Sequence, residues 1–215
     1  LALRSSLERW GLVEGGVRFG RVKTGDRGGL DQPEANDQVG ALFGQVVIDT
    51  LDDLAWPEYG RRLGISGEWS LGGLGADLQY WRVQAEYRGS RSLGKRLVVQ
   101  LDGMAGFSGD DLPVYNWYRL GGVTLVPGYH HEELKGAQAL SGALSLRYRA
   151  FGQLRLVVRG GAGNVFATTG DITFDGLRWG VGIGLYHPSP IGPAAFEVGV
   201  RDGGSTLASL SIGWN

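Results

Sequence analysis

The sequence of 215 residues contains no cysteine. Disulfide scaffolds, cysteine-containing metal sites and thiol redox chemistry are therefore excluded. The chain also lacks an excess of charge of either sign, because 21 basic residues stand against 22 acidic ones. This balance gives no reason to expect a nucleic acid as a partner.

The sequence has no apolar run near the ~18 residues that a membrane-spanning helix needs, so a helical membrane protein is excluded. The mean hydropathy of -0.10 would suit a soluble protein. It also suits a membrane β-barrel, since only alternate residues of such strands face lipid. No Gly-x-Ser-x-Gly motif occurs in the chain, and the nucleophile elbow of α/β-hydrolases is therefore absent from it.

Glycine is plentiful, with 39 residues and no Gly-X-Y period, which excludes collagen and assigns the glycines to backbone geometry. Most of the remaining sequence alternates strictly. Leu140, Leu144 and Leu146 fall on one side of residues 137–150, whereas Ser141 and Ser145 fall on the other. Such alternation predicts β-strands, and no segment shows a convincing helical period.

About eleven such segments follow one another, most of them ~10 residues or longer. Strands of soluble sandwiches have ~5–6 residues, whereas strands that cross a bilayer have ~9–11. In a soluble barrel the same pattern would be turned inside out, with the apolar residues in the core. Strand length favours an all-β, antiparallel transmembrane β-barrel whose apolar face meets lipid. The polar face then lines a wet interior, and its charged residues are Arg147, Arg149, Arg155, Arg159, Arg178, Glu197 and Arg201.

Four motifs resemble the bacterial surface antigen domain, which forms the barrel of BamA- and TamA-type outer-membrane translocases. They are "DTLDDLAWPEYG" from Asp49, the "GG…GY…G" loop, "GAGNVF" at residues 161–166, and the strand and turn of residues 180–200 with "SPIGP". They occur in family order. The strand and turn positions that carry the match are Asp49, Asp52, Pro57, Gly60, Pro190, Gly192 and Pro193. The loop positions are Gly121, Gly122, Gly128, Tyr129 and Gly136.

The resemblance implies that residues 120–136 form a loop that folds into the barrel lumen. In the family this loop carries an arginine that pairs with an aspartate on the lumen wall. Here Pro127 stands at the arginine position and Gly161 at the aspartate position. Losing both partners together leaves no unpaired charge in the interior. We expect the loop to remain docked through other contacts, with the lumenal arginines 147, 149, 155, 159 and 178 facing Glu132 and Glu133.

The resemblance also implies a function without covalent chemistry or cofactors, namely anchoring and export or insertion of polypeptides in the bacterial outer membrane. The loop without its arginine is most similar to the barrels of PlpD-type patatin-like autotransporters, which implies an N-terminal lipase passenger. Family barrels have roughly sixteen strands, so residues 1–215 are expected to be the C-terminal part of one barrel domain. Other expected partners are lipids, the barrel assembly machinery and a second copy of the chain.

The last strand ends in "SLSIGWN", which resembles the terminal signal that the assembly machinery reads, with Leu210, Ile212 and Trp214 as its apolar positions. In the family the seam beside this strand is weakly paired and serves as a gate for client strands.

Three local clusters offer other chemistry. His130, His131, Glu132 and Glu133 could ligate a divalent metal, but adjacent side chains in an extended loop point apart. Asp110 and Asp111 are better explained as a turn. The aspartates of "DTLDD" could bind calcium or shape a corner. An outer-membrane enzyme that uses a loop histidine at the barrel rim, and a passive anion pore, are the alternative functions.

Overall fold

The computed structural model describes residues 1–7, 10–25, 35–109, 111–189 and 192–212, and only the backbone of Ser189, Gly192 and Pro193. These ranges hold thirteen strands and three short 3-10 helices. The strands are β1 (Ala2–Leu7), β2 (Gly11–Thr24), β3 (Ala35–Asp49), β4 (Tyr59–Ser70), β5 (Tyr80–Leu93), β6 (Leu97–Ser108), β7 (Tyr118–Leu120), β8 (Leu134–Gly136), β9 (Gln138–Arg149), β10 (Arg155–Phe166), β11 (Arg178–Ser189), β12 (Gly192–Arg201) and β13 (Thr206–Ile212). The 3-10 helices are Gly72–Leu74, Val114–Asn116 and Thr169–Asp171.

Eleven of these strands form one antiparallel sheet in the order β1-β2-β3-β4-β5-β6-β9-β10-β11-β12-β13. Each strand pairs with its neighbour in the chain, as short hairpin connections require. The exception is the pair β6–β9, because between these strands the chain leaves the sheet and forms the separate pair β7–β8. The predicted all-β antiparallel fold and the count of eleven sheet strands are confirmed.

The two faces of the sheet have opposite chemistry. On β9, Leu144 and Leu146 are 50% and 42% exposed. Ser145, between them, and Arg147, directly after Leu146, are buried. The pattern recurs on β11 and β12, where Ile183 and Phe196 are exposed and Glu197 is buried. A soluble barrel would bury its leucines, so this arrangement confirms that the apolar residues point outward. We call the two sides the outer face and the inner face.

The strand register keeps like residues together on each face. Ser145 lies opposite Gln100 on β6 and Arg159 on β10, and the Arg159 guanidinium donates a hydrogen bond of 2.7 Å to the Ser145 hydroxyl. Leu144, one residue earlier, lies opposite Leu101 on the outer face. A register shift of one residue would exchange the faces, so the alternation itself fixes the pairing.

The sheet has two edges, β1 and β13, each of which pairs with one neighbour among the described residues. In the described part of the chain, no helix is long and apolar enough to cross a membrane.

Candidate functional site

The long connection from β6 to β9 lies on the inner face and begins with an aromatic anchor. Tyr118 on β7 is buried, and its hydroxyl donates to the carbonyl oxygens of Val83 at 2.7 Å and Phe107 at 2.8 Å. Its ring lies directly over Gly106 of β6. The buried members of the apolar cluster around it are Tyr80, Leu112, Tyr118, Leu120, Ala137 and Ala139. This cluster fixes both ends of the loop against the sheet.

The middle of the loop rests on a floor of glycines, which we define as Gly161, Gly180, Gly182 and Gly199. A Cβ atom added at Gly161 would collide with the carbonyl oxygen of Leu125, and one at Gly180 would collide with that of Pro127. The backbone of the loop therefore lies where side chains of the inner face would otherwise stand. Gly128 sits against the backbone of β12 with a φ of 84°, a conformation that favours glycine.

The other predicted loop glycines also occupy constrained positions. Gly121 and Gly122 have φ values of 123° and 88°. Gly136 on β8 lies against Val165 and Phe166 of β10, where a side chain would collide. The four glycines of the loop motif thus serve its turns and its close contact with the sheet.

The glycine floor gives a physical account of the missing arginine–aspartate pair. At residue 161 an aspartate would need the space that the Leu125 carbonyl fills, and Pro127 packs over Gly180 and Gly182. Close contact between the loop backbone and the strands therefore takes the place of a buried ion pair. Such a pair would carry a desolvation penalty of several kcal/mol per ion, which the uncharged backbone contact avoids.

A polar network holds the end of the loop. The Tyr129 hydroxyl donates a short hydrogen bond to the carboxylate of Asp202, and the Arg178 guanidinium donates to the same carboxylate at 3.2 Å. The Arg201 guanidinium stacks 4.8 Å from the centre of the Tyr129 ring. Burial, followed by the hydrogen bond to Asp202, raises the pKa of Tyr129 to about 12. The phenol therefore stays protonated and acts as a donor at physiological pH.

The two loop glutamates have partners that differ from the predicted ones. Glu132 forms an ion pair of 2.7 Å with Arg119, and Glu133 forms one with Arg201. The prediction that arginines 147, 149, 155, 159 and 178 face these carboxylates is therefore wrong. The cause is geometric, since Arg119 lies on β7, the partner of β8 directly after these glutamates, and Arg201 lies at the end of β12 against which the loop packs.

The ion pairs also set the acidity of these carboxylates. The hydrogen bond from Arg119 lowers the pKa of Glu132. At Glu133 burial opposes ionisation, but hydrogen bonds from the His130 amide and Arg201 outweigh it and lower the pKa. Both glutamates are thus engaged as carboxylates, and the His131 side chain is exposed. Across the described ranges, no group of three or more His, Asp and Glu side chains is placed to hold a metal ion.

Two of the predicted arginines, Arg178 beside the Tyr129 side chain and Arg159, do contact the loop. Arg159 donates to the carbonyl oxygen of Val123 at 2.5 Å and to Glu197 at 3.3 Å. Arg159 and Glu197 are both buried on the inner face. Removing either member would leave the other as an unpaired buried charge and would lower the free energy of unfolding by about 3–5 kcal/mol.

The "DTLDD" motif forms a corner between β3 and β4. Asp52 accepts hydrogen bonds from the amides of Glu58 and Tyr59, and Asp53 accepts them from the amides of Ala55 and Trp56. Asp49 pairs with Arg62 at 2.9 Å. Because these carboxylates bind the corner's own backbone and an arginine, the arrangement favours the corner over a calcium site. Gly60, with a φ of 98°, lies under the carbonyl of Thr50, and Pro57 is fully buried.

This corner reaches across the inner face to strands β9, β10 and β11. Trp56 meets the ring of Tyr186 edge-on, with centroids 4.9 Å apart, and the Arg155 guanidinium lies 4.8 Å from the Trp56 ring. Arg147 donates to the Pro57 carbonyl, and Arg149 pairs with Glu58. The inner face is therefore bridged at both ends, by the loop at one and by the corner at the other.

Sequence reasoning did not single out Trp56, Arg119 or Asp202. Their partners lie far away in the chain, as with the 73 residues between Tyr129 and Asp202, so no local pattern marks them. A signal did exist for the glycine floor, because Gly180, Gly182 and Gly184 occupy alternate positions on the face predicted to point inward.

Leu210 and Ile212, two predicted positions of the terminal strand, are exposed on the edge strand β13. Pro190, Asp110 and Trp214 lie outside the described residues.

Comparisons with known proteins agree with this architecture. No curated protein matches the chain. The crystal structure of BamA from Haemophilus ducreyi lacking POTRA domains 1–3 superposes with a TM-score of 0.79 at 16% sequence identity. The match covers 98% of this chain and 53% of that one, so the chain spans about half the length of the BamA structure. The profile of the Omp85 superfamily domain matches residues 29–206. The chain therefore belongs to the Omp85 superfamily of bacterial outer-membrane barrels, and its fold is that of the BamA barrel.

Proposed function

We propose that this barrel moves polypeptides across or into the outer membrane and anchors a covalently linked passenger. The inner face is polar and carries the docked loop, while the outer face is apolar, as a protein embedded in lipid requires. The observation that carries the proposal is the loop on the glycine floor, because a structural element that fills the interior of the barrel is suited to gating it.

The edge strand β13 supplies the second part of the mechanism. On the side that faces away from β12, its backbone donors and acceptors pair with no strand among the described residues. Such an edge can add another strand by hydrogen bonding. A client strand would pair there before release into the membrane. No covalent step or cofactor enters this mechanism.

The passenger that we propose is a patatin-like lipase fused before the barrel. Support comes from the loop without its arginine, where Pro127 stands at that position, because such a loop resembles those of patatin-linked barrels. The chain itself contains no Gly-x-Ser-x-Gly elbow, so any hydrolase activity would belong to the passenger.

No specific observation favours either of the two alternative functions, the passive pore and the rim enzyme. A passive pore needs an open interior, and the loop and the corner both cross the inner face. A rim enzyme needs an oriented histidine, but the described contacts of His130 run through its backbone to Glu133, and the His131 side chain is exposed.

Protease treatment of intact cells that express the full-length gene tests the proposal. We expect the polypeptide that precedes the barrel to be cleaved from outside, while the barrel retains its heat-dependent mobility on gels. If that polypeptide stays protected, depletion of the protein should instead reduce the insertion of other outer-membrane proteins. The proposal fails if neither effect is seen and purified barrels in planar bilayers conduct ions freely.

A further inference from the structure

A cationic cavity lies at the end of the sheet opposite the docked loop, where the β5–β6 and β9–β10 turns meet the corner of residues 50–58. It is lined by Lys95 and Arg96 from the first turn, by Arg147 and Arg149 from β9, and by Arg155 from β10. Glu58 is the carboxylate that lines it. Five cations against one carboxylate give this small space a strongly positive potential.

The neighbouring carboxylates leave most of this charge unbalanced. Glu58 is paired with Arg149, and Asp102, close to Arg147, is paired with Arg88 at 2.7 Å. Asp53 acts on Arg155 through its charge, but its oxygen is engaged by backbone amides. Among the described residues, no ion pair reaches Lys95, Arg96, Arg147 or Arg155.

Arg147 gives a second and independent indication. Its side chain is buried, with the whole residue 6% exposed. One terminal nitrogen donates to the Pro57 carbonyl, but the buried Nε has no hydrogen-bond partner in the described part of the chain. A buried, charged donor without an acceptor is unfavourable, and an anion in the cavity would supply the missing acceptor and charge.

The size of the cavity limits what can enter. Its volume is about 20 Å³, and one water-sized group needs ~10–15 Å³. Such a space admits one or two oxygens of an anionic group whose remaining atoms lie at its mouth, and it excludes a peptide segment. Guanidinium groups from different strands approach from several directions, which suits the tetrahedral oxygens of phosphate and its double charge better than a planar carboxylate.

We propose that this cavity is a binding site for a phosphate group, supplied either by free phosphate or by the headgroup of a phospholipid. Arg147 and Arg155 bind its oxygens from the inner face, and Lys95 and Arg96 bind it from the exposed turn. The site stands apart from polypeptide export, so its failure would leave the proposed function untouched.

Isothermal titration of the full-length protein in an uncharged detergent, at constant ionic strength, tests the site with two probes. One is inorganic phosphate, and the other is dihexanoyl phosphatidic acid below its micellar concentration. We expect Lys95→Gln and Arg155→Gln each to weaken binding about tenfold, the effect of losing one charge-assisted hydrogen bond. Arg155→Lys should recover part of the affinity. Lys95 lies on an exposed turn, so its variant is expected to fold normally.

Arg82→Gln is the matched control. Arg82 also stacks on an aromatic ring, 5.0 Å from the centre of Tyr118, and donates to the carbonyl of Asn116, but at the opposite end of the inner face. Its loss should leave phosphate binding unchanged. Tighter binding of the lipid than of phosphate would identify a headgroup site, and equal binding would identify a site for the free ion. The proposal is overturned if neither probe binds, or if Arg82→Gln weakens binding as much as the cavity variants do.

Discussion

Gly180 on β11 lies directly beneath the carbonyl oxygen of Pro127, with no room for a Cβ atom between them. This contact joins the middle of the loop to the beginning of strand β11, which follows it by about fifty residues. Backbone packs on backbone here, so the position of the loop depends on the absence of side chains at four places on the inner face.

We predict that Gly180→Ala displaces the loop. Overpacking of a fitted interior is unfavourable by about 1–3 kcal/mol, and the sheet is held by its neighbours, so the loop should move instead. Chymotrypsin cleavage after Tyr129, which is buried in the docked loop, should become several times faster when it is mapped by mass spectrometry. Gly160→Ala is the control, because a Cβ atom at residue 160 would meet only Val181 among the described residues, at an ordinary distance of 3.9 Å. Equal cleavage of the wild type and Gly180→Ala would contradict the docking described above.

Tyr129 should make loop docking sensitive to alkaline pH. Its pKa rises from an ordinary 10.0 to about 12 in the folded protein. Between these values the unfolded chain has lost the phenolic proton while the folded chain keeps it. The contribution of Tyr129 to the free energy of unfolding is therefore complete below pH 10 and decreases as the pH rises from about 10 to about 12.

The comparison of wild type with Tyr129→Phe isolates this effect. At pH 8 the variant should lose about 1 kcal/mol, the value of one hydrogen bond, and the difference should shrink above pH 10. Urea unfolding in detergent at several pH values measures both quantities. Tyr59→Phe, at a residue that is 56% exposed, serves as the control. A pH-independent difference would show that the hydroxyl of Tyr129 does not carry the effect.

Trp56 should stabilise the opposite end of the inner face. It contacts Arg147, Arg155 and Tyr186, so Trp56→Ala removes a half-buried aromatic ring and two cation–π interactions. We expect a loss of about 2 kcal/mol in the free energy of unfolding. Leu54→Ala changes the same corner at a residue that is 71% exposed and should change stability by less than about 0.5 kcal/mol. Equal effects of the two substitutions would rule out the bridge.

The faces of the sheet could be predicted from sequence because a strand's side chains alternate with a period of two. Ser145 and Leu144 illustrate this, since their positions in the alternation alone predicted which one points inward. The partners of the loop could not be predicted in this way. Glu133 pairs with Arg201, 68 residues later, and Arg147 bonds to Pro57, 90 residues earlier. These pairings depend on how the sheet curves and on where each strand ends. The alternation of polar and apolar residues encodes neither.

The same contrast explains the wrong prediction for Glu132. Arginines were plentiful on the predicted inner face, but the nearest one in space is Arg119, on the short strand β7 within the connection itself. Predicting this pair would have required knowledge that β7 and β8 pair outside the main sheet.

A last prediction tests the orientation of the sheet with two adjacent residues of β4. Ile65 lies on the outer face and is 45% exposed, whereas Ser66 faces the inner side beside Gln45 and Glu68. Lipid cannot solvate a cation, so Ile65→Arg should destabilise the barrel by about 2–4 kcal/mol if residue 65 lies near the middle of the bilayer. Ser66→Arg places the same charge in the wet interior beside Glu68 and should have little effect. Folding into lipid vesicles, followed by heat-dependent gel mobility, compares them directly. If Ser66→Arg were the more harmful of the two, the assignment of the apolar face to lipid would be wrong.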